Sequence, residues 1–242
     1  MDVQSVTAPS GAQTFKTRAQ QTGFAKVDEG GAIGAKETPT FTRIAYAVEK
    51  YAGYFSATNE LLEDTDANIV GTLINWIGGE SRVTHNKLIL NAVKTIGTEE
   101  NWTGIDDLKK TLNVTLDRAF LPFTSIITNQ DGLQYLDTLK DSDGRYLLTP
   151  DVQNPTQYRL FGYPVKVLGN ATLASEAGNI PFIVGDLKSA VRLFVRKGLT
   201  VTSTNVGMDA FEKDLTIWRA IERLDCKVID AQAVVRGKIA QG

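Results

Sequence analysis

The chain has 242 residues, 42% of them hydrophobic and 22% charged, with a formal net charge of −2. That is the composition of an ordinary globular protein, and it argues against a nucleic-acid binder, whose footprint is a basic stripe or a high pI. A single histidine (His85) and a single cysteine (Cys226) exclude an internal disulfide and leave too few ligands for a zinc centre, so no metal centre is expected.

Residues 1–14 (MDVQSVTAPSGAQT) are small and polar and read as a mobile arm. From Phe15 the chain turns strand-like and reaches VDEGGAIGAKETPT at 27–40, a glycine-rich stretch typical of a flexible loop tip. FTRIAYAVEKYAGYFSAT then resumes a run rich in β-branched and aromatic types. Together, 15–56 read as one long two-stranded ribbon. A lone hairpin is marginal in water, so something outside it must supply the missing contacts.

Asn59-Glu-Leu-Leu-Glu starts a short helical turn, and Asp66 is placed to cap a longer helix whose apolar residues from Ile69 to Val93 recur by threes and fours. Gly78-Gly79 predicts a bend in that helix or close packing against another backbone, and Ile96-Gly97 its end. Ile105 to Phe120 reads helical, Thr124 to Thr128 as a strand, and Gln130 to Lys140 as a helix ending in the turn Asp141-Ser-Asp-Gly. Tyr163 to Leu168, Pro181 to Gly185 and Val191 to Val195 read as strands. Asp209 to Ile239 suits strands better than helix, because it ends in Ala233-Val-Val-Arg-Gly. The mixture is α+β. His85 reads as a solvated helix residue and Cys226 as a buried thiol. No apolar run reaches the ~18 residues of a membrane span, and no signal peptide is read at Met1.

Three patterns look chemical and are not. Gly30-Gly31-Ala-Ile-Gly34 neither matches a dinucleotide fingerprint nor opens a βαβ helix. Asp141-Ser-Asp-Gly lacks the spacing and terminal glutamate of a calcium loop. Ser81 is not in a nucleophile elbow. Glu60, Glu63, Asp64 and Asp66 cluster at helix starts, where the helix dipole favours acids in any case. With Lys26, Asp28, Glu29, Lys36 and Glu37 at the loop tip, Glu60, Glu63 and Asp64 are candidates for contacts between subunits, where charge complementarity sets register.

Three segments in order carry a family resemblance. They are the ribbon running into Ser56-Ala-Thr-Asn-Glu-Leu-Leu-Glu-Asp; Ser125-Ile-Ile-Thr-Asn with Leu139-Lys-Asp-Ser-Asp-Gly-Arg-Tyr-Leu and Leu160-Phe-Gly-Tyr-Pro-Val; and Phe211 to Gly237 with Arg219 and Arg223. Over roughly residues 13–239 the chain resembles the major capsid proteins of tailed bacteriophages. The resemblance implies an N-terminal arm (1–14), an extended β-ribbon loop (15–56), a peripheral domain on a long spine helix (57–104), a mainly axial domain (105–208) and closing strands of both domains (209–242). It also implies a structural shell subunit without enzymatic turnover, gathering with its own copies into hexamers and pentamers around packaged double-stranded DNA, which it holds without sequence-specific binding. Scaffolding, portal and maturation protease proteins are the implied partners, with no membrane. The implied locations are the virion and, during assembly, the bacterial host cytoplasm. Some relatives cross-link subunits from a loop lysine to an asparagine near the C-terminal strands. Lys36 suits the first role, but Glu212-Lys213-Asp214-Leu215 has no asparagine and Asn205 lies too early, so no cross-link is expected. Two other readings stay open: a bacterial nanocompartment shell enclosing a cargo enzyme, and a carboxylate-dependent hydrolase using Glu60 and Glu63.

Overall fold

A computed structural model describes residues 2–16, 23–35, 41–63, 68–151, 154 and 156–240. In chain order these form β1 (Asp2–Ser5), β2 (Ser10–Lys16), β3 (Phe41–Ala47), β4 (Glu49–Thr58), α1 (Asn59–Glu63), α2 (Ile69–Lys94), β5 (Glu100–Trp102), α3 (Ile105–Lys110), β6 (Ser125–Asn129), α4 (Gln130–Thr138), β7 (Thr149–Pro150), β8 (Tyr158–Leu160), β9 (Tyr163–Leu168), β10 (Asn179–Gly185), α5 (Leu187–Ala190), β11 (Val191–Thr204), β12 (Leu215–Val228) and β13 (Val234–Ala240). Three sheets result: a four-stranded one in the order β1-β11-β12-β4, a seven-stranded one in the order β5-β13-β10-β6-β9-β8-β7, and the pair β2-β3. Helices and strands from all parts of the chain mix in this α+β arrangement.

The 26-residue helix α2 joins the two large sheets. Its C-terminal half buries Leu90, Val93 and the following Ile96 against Leu193, Leu224 and Cys226 of the four-stranded sheet and Ile127, Ile183 and Val234 of the seven-stranded sheet. Strand alternation divides β10 between two cores: Ile183 faces this one, while Ile180, Phe182 and Val184 join Trp102, Leu108, Leu112, Leu136 and Leu160 in a second. At its N-terminal half α2 lays Ile77 on Trp218 and Ala220 of β12. On β12, Trp218, Ala220, Leu224 and Cys226 alternate toward the helix, which leaves Arg219, Ile221 and Arg223 on the opposite face.

The structure corrects several expectations. The N-terminal stretch is not free: β1 pairs in parallel with β11, Asp2 opposite Arg192, and the Arg192 guanidinium bonds the Asp2 carboxylate. The ribbon begins at Ser10, not Phe15, and ends at Ala47, because β4 leaves it to form a ten-residue antiparallel ladder with β12. α2 is capped by Asn68, whose side chain accepts from the Gly71 N–H at 2.8 Å, while Asp66 lies outside the described residues. The helix runs through Gly78-Gly79, and neither glycine has a neighbour where a side chain would stand. The helix expected to Phe120 is shorter: α3 passes into a π turn at Thr111–Thr115 and Leu116 is extended. Thr111, Val114 and Thr115 are β-branched and poor at propagating helix, and the Thr111 hydroxyl bonds back to the Asp107 carbonyl at 2.9 Å.

Gly237 shows how tightly the second core closes. The Trp102 ring lies where a Cβ on Gly237 would stand, since β13 and β5 pair with Ile239 opposite Trp102. Gly237→Ala is therefore expected to destabilise the subunit by about 1–3 kcal/mol, the range for overpacking a tight site, read as a lower urea midpoint. An unchanged midpoint would show that Trp102 is free to move aside.

Candidate subunit interface

The ribbon is anchored at one end and bare at the other. Its base is held by Tyr46 stacked on Phe194 with centroids 4.6 Å apart, by the Ala47 N–H donating to the Asp225 carboxylate at 2.9 Å, and by the Val48 N–H donating to the Pro9 carbonyl at 2.8 Å. Farther out, Arg192 lies over the Phe15 ring at 4.9 Å. Seven paired residues per strand carry the chain roughly 20 Å from that base. Beyond them all of 23–35 is exposed, with Phe24 at 96% and Ile33 at 88%. The turn in this stretch is local: Gly30 takes φ 79° and the Gly31 N–H donates to the Asp28 carbonyl at 2.9 Å.

The predicted contact residues divide by location. Lys26, Asp28 and Glu29 are exposed at this tip, and Glu60 and Glu63 are exposed on α1; none of the five has an ion-pair partner among the described residues. Lys36, Glu37 and Asp64 lie outside the described residues. The α1 start is fixed by Asn59, which donates to the Asp214 carboxylate at 2.6 Å and accepts from the Thr216 hydroxyl at 2.7 Å, while Leu62 packs into the Ile77–Trp218 cluster and Leu61 stays exposed. Glu60 and Glu63 are solvated, unlike the desolvated carboxylates that acid–base chemistry uses. Further apolar side chains stand in solvent on α2 (Val70, Ile74, Trp76) and at the β11–β12 turn (Val206, Phe211).

Sequence reasoning missed one polar site. Glu222, 4% exposed, sits among the apolar residues of β12 that face α2. It accepts from the Ser81 hydroxyl at 2.7 Å and lies 3.0 Å from His85 Nε2. His85 is thus a half-buried tie between helix and sheet, not a solvated residue. Ser81 and His85 approach the same carboxylate oxygen, so this is a latch and not a nucleophile–base relay. The signal was available: Ser81 and His85 are four apart on one helix face, and one acid interrupts an apolar alternation. Truncating Glu222 to Ala should cost about 1.5–3 kcal/mol, as for a hydrogen-bonded charged group, in urea unfolding. Replacing the group with Ser81→Ala, His85→Leu and Glu222→Leu together should recover most of that loss, because no polar group then lacks its partner. A triple variant as unstable as Glu222→Ala would contradict the latch.

Cys226 is buried as expected, and burial beside Asp225 pushes its thiol up to about 12. Because the thiolate is the reactive form, folded subunits should resist an aromatic disulfide reagent at pH 8 and react stoichiometrically only in denaturant. Rapid labelling of the native protein would contradict this.

A model of the Phage capsid family matches residues 1–239. The chain belongs to that family. It is a structural protein, a shell subunit of an icosahedral capsid that works by assembling with its own copies, and its place is the virion. Solved structures agree in fold. The capsid of a native GTA particle computed with C5 symmetry is similar at TM-score 0.72 and 20% identity, over 99% of this chain and 88% of that one. Microbacterium phage Oxtober96 is similar at TM-score 0.65 and 18% identity, over 98% and 88%. The bacteriophage PhiM1 mature capsid is similar at TM-score 0.65 and 12% identity, over 98% and 85%. No curated protein matches the sequence.

Proposed function

We propose that the phage capsid subunit gathers into hexamers and pentamers, each ribbon laid across an adjoining copy, to enclose double-stranded DNA. The observation that carries this is the tip itself, with Phe24 and Ile33 almost wholly in water at the end of a projecting ribbon. In this reading residues 10–47 are the extended loop, 57–104 form a peripheral unit on α2, and 209–242 supply closing strands to the peripheral and axial units. Residues 105–208 are mainly the axial unit that meets its copies at each symmetry axis, and Asp2–Ser5 closes an edge of the four-stranded sheet. A head-to-tail contact repeated around a ring closes it, and a subunit held on several sides leaves slowly even when each contact is weak. Exposed apolar surface of this kind marks an interaction site.

Scaffolding, portal and protease proteins act during assembly in the host cytoplasm, and the DNA is retained by confinement without base-specific contacts. The shell performs no catalytic turnover. Its subunits stay non-covalent, because Glu212-Lys213-Asp214-Leu215 offers no asparagine to a loop lysine.

Negative-stain microscopy of the expressed protein tests the shell directly: closed particles are expected, and nuclease-protected double-stranded DNA inside virions. A co-purifying enzyme in place of DNA would mark a nanocompartment shell. A monodisperse monomer at high concentration would overturn the proposal. Replacing residues 23–35 by a short Gly-Ser turn should abolish particles while leaving the urea midpoint of the subunit within error. On a denaturing gel, mature particles should run as a single monomer band, and a ladder of covalent oligomers would contradict the non-covalent assignment.

A further inference from the structure

Glu222 is only half used by the latch it forms with Ser81 and His85. Both partners meet Oε2, and Oε1 has no hydrogen-bond partner among the described residues. The Ser81 hydroxyl is neutral, and His85 brings a positive charge only when it is protonated. A carboxylate 4% exposed therefore keeps one oxygen unpaired, and with a neutral imidazole its charge is uncompensated. Burying such a charge is costly.

Glu222 lines a cavity of about 410 Å³ between α2 and the β4–β12 ladder. The cavity exists because two small residues stand side by side beneath the helix. Gly53 of β4 is paired with Ala220 of β12, and a Cβ on Gly53 would meet only the Phe55 ring, at 4.0 Å. Trp76 and Phe55, in edge-to-face contact with centroids 5.1 Å apart, make an aromatic wall, and Ile77 adds to it. Glu80 of α2 brings a second carboxylate to the lining, with no ion pair among the described residues. No lysine or arginine lines the cavity among the described residues. The Tyr51 phenol reports the same negative field: burial pushes its ionisation upward, and Glu49, Asp225 and Glu222 push it further.

We propose that this cavity binds a linear primary alkylammonium. The charged head donates to Glu222 Oε1, and Glu80 adds a second attractive charge. A primary ammonium has three N–H donors for an acceptor of this kind, whereas a quaternary one has none. The apolar stem lies in the notch over Gly53 and Ala220, against Ile77 and the aromatic wall, whose ring faces also attract a cation. A metal ion is less well served, since no three acids, histidines or cysteines converge among the described residues. The ligand touches α2, β4 and β12 together, so it reinforces the contact that the latch makes. The site does not depend on how copies assemble.

Calorimetric titration of pentylammonium chloride into the dissociated full-length subunit tests this, and saturable binding is expected. The uncharged 1-pentanol, with the same stem, should bind at least about tenfold more weakly, the worth of one charge-assisted hydrogen bond. Pentanoate, with the opposite charge, should not bind. Glu222→Gln keeps the size and an acceptor but removes the charge, and should weaken pentylammonium by a similar factor. Gly53→Val keeps the test independent of the latch. It fills the notch and should abolish binding, while the urea midpoint should not fall, because a β-branched residue suits a strand better than glycine. Absence of saturable binding, equal affinity for pentylammonium and pentanol, or undiminished binding by Gly53→Val would each overturn the assignment and leave the shell reading intact.

Discussion

A two-stranded ribbon has two faces and two edges, and one chain has only so much surface with which to cover them. Here the body of the subunit covers the base of the ribbon, through Phe194, Arg192 and Asp225, and nothing among the described residues covers the tip. The hydrophobic effect makes that state costly: burying a large apolar side chain gains roughly 1.5–3 kcal/mol, and Phe24 and Ile33 leave it unrealised in the free subunit. In the proposed shell a neighbouring copy supplies that burial.

For such contacts to define a curved shell, the ribbon must be held at a fixed relation to the body of its own subunit. The fold does this by holding the ribbon base against β11 and β12. β12 pairs with β4 on one side and β11 on the other; its helix-facing residues are pinned by α2 through Ile77, the Glu222 latch and the core around Leu224. The ribbon springs from the start of β4, with only Val48 between Ala47 and Glu49. A movement of α2 against the sheet would therefore be transmitted to the base of the ribbon. Close packing of the core resists such movement, and the angle between neighbouring subunits is then a property of the folded chain.

Much of this was legible from residues in order. The long helix followed from threes-and-fours spacing, the strands of the second half from short β-branched runs, and the exposed tip from its glycines and the marginal stability of lone hairpins. What could not be read depended on partners distant in sequence. The break at Val48 is invisible because β-rich character continues through it; β4 is assigned to a different sheet only by its ladder with β12, more than 150 positions away. Asp2–Ser5 looks like a loose arm because its strand character is lent by the edge of β11. Arg223 stands between Lys50 and Lys197 only once three strands are in register, although each residue is plain in the sequence. Asp28 and Glu29 at the tip are exposed, while the cations facing outward on β12 entered the sequence reading only as part of a resembling segment. His85 was misjudged because its partner, Glu222, lies 137 residues later.

Amide hydrogen exchange measures most directly whether the ribbon tip obtains its missing cover from another copy, since exchange reports local opening and solvent access residue by residue. Residues 23–35 should exchange within seconds in the dissociated subunit and be strongly protected in the assembled shell. Tip amides that exchange equally fast in subunit and shell would contradict the account, because the ribbon would then reach into water in both.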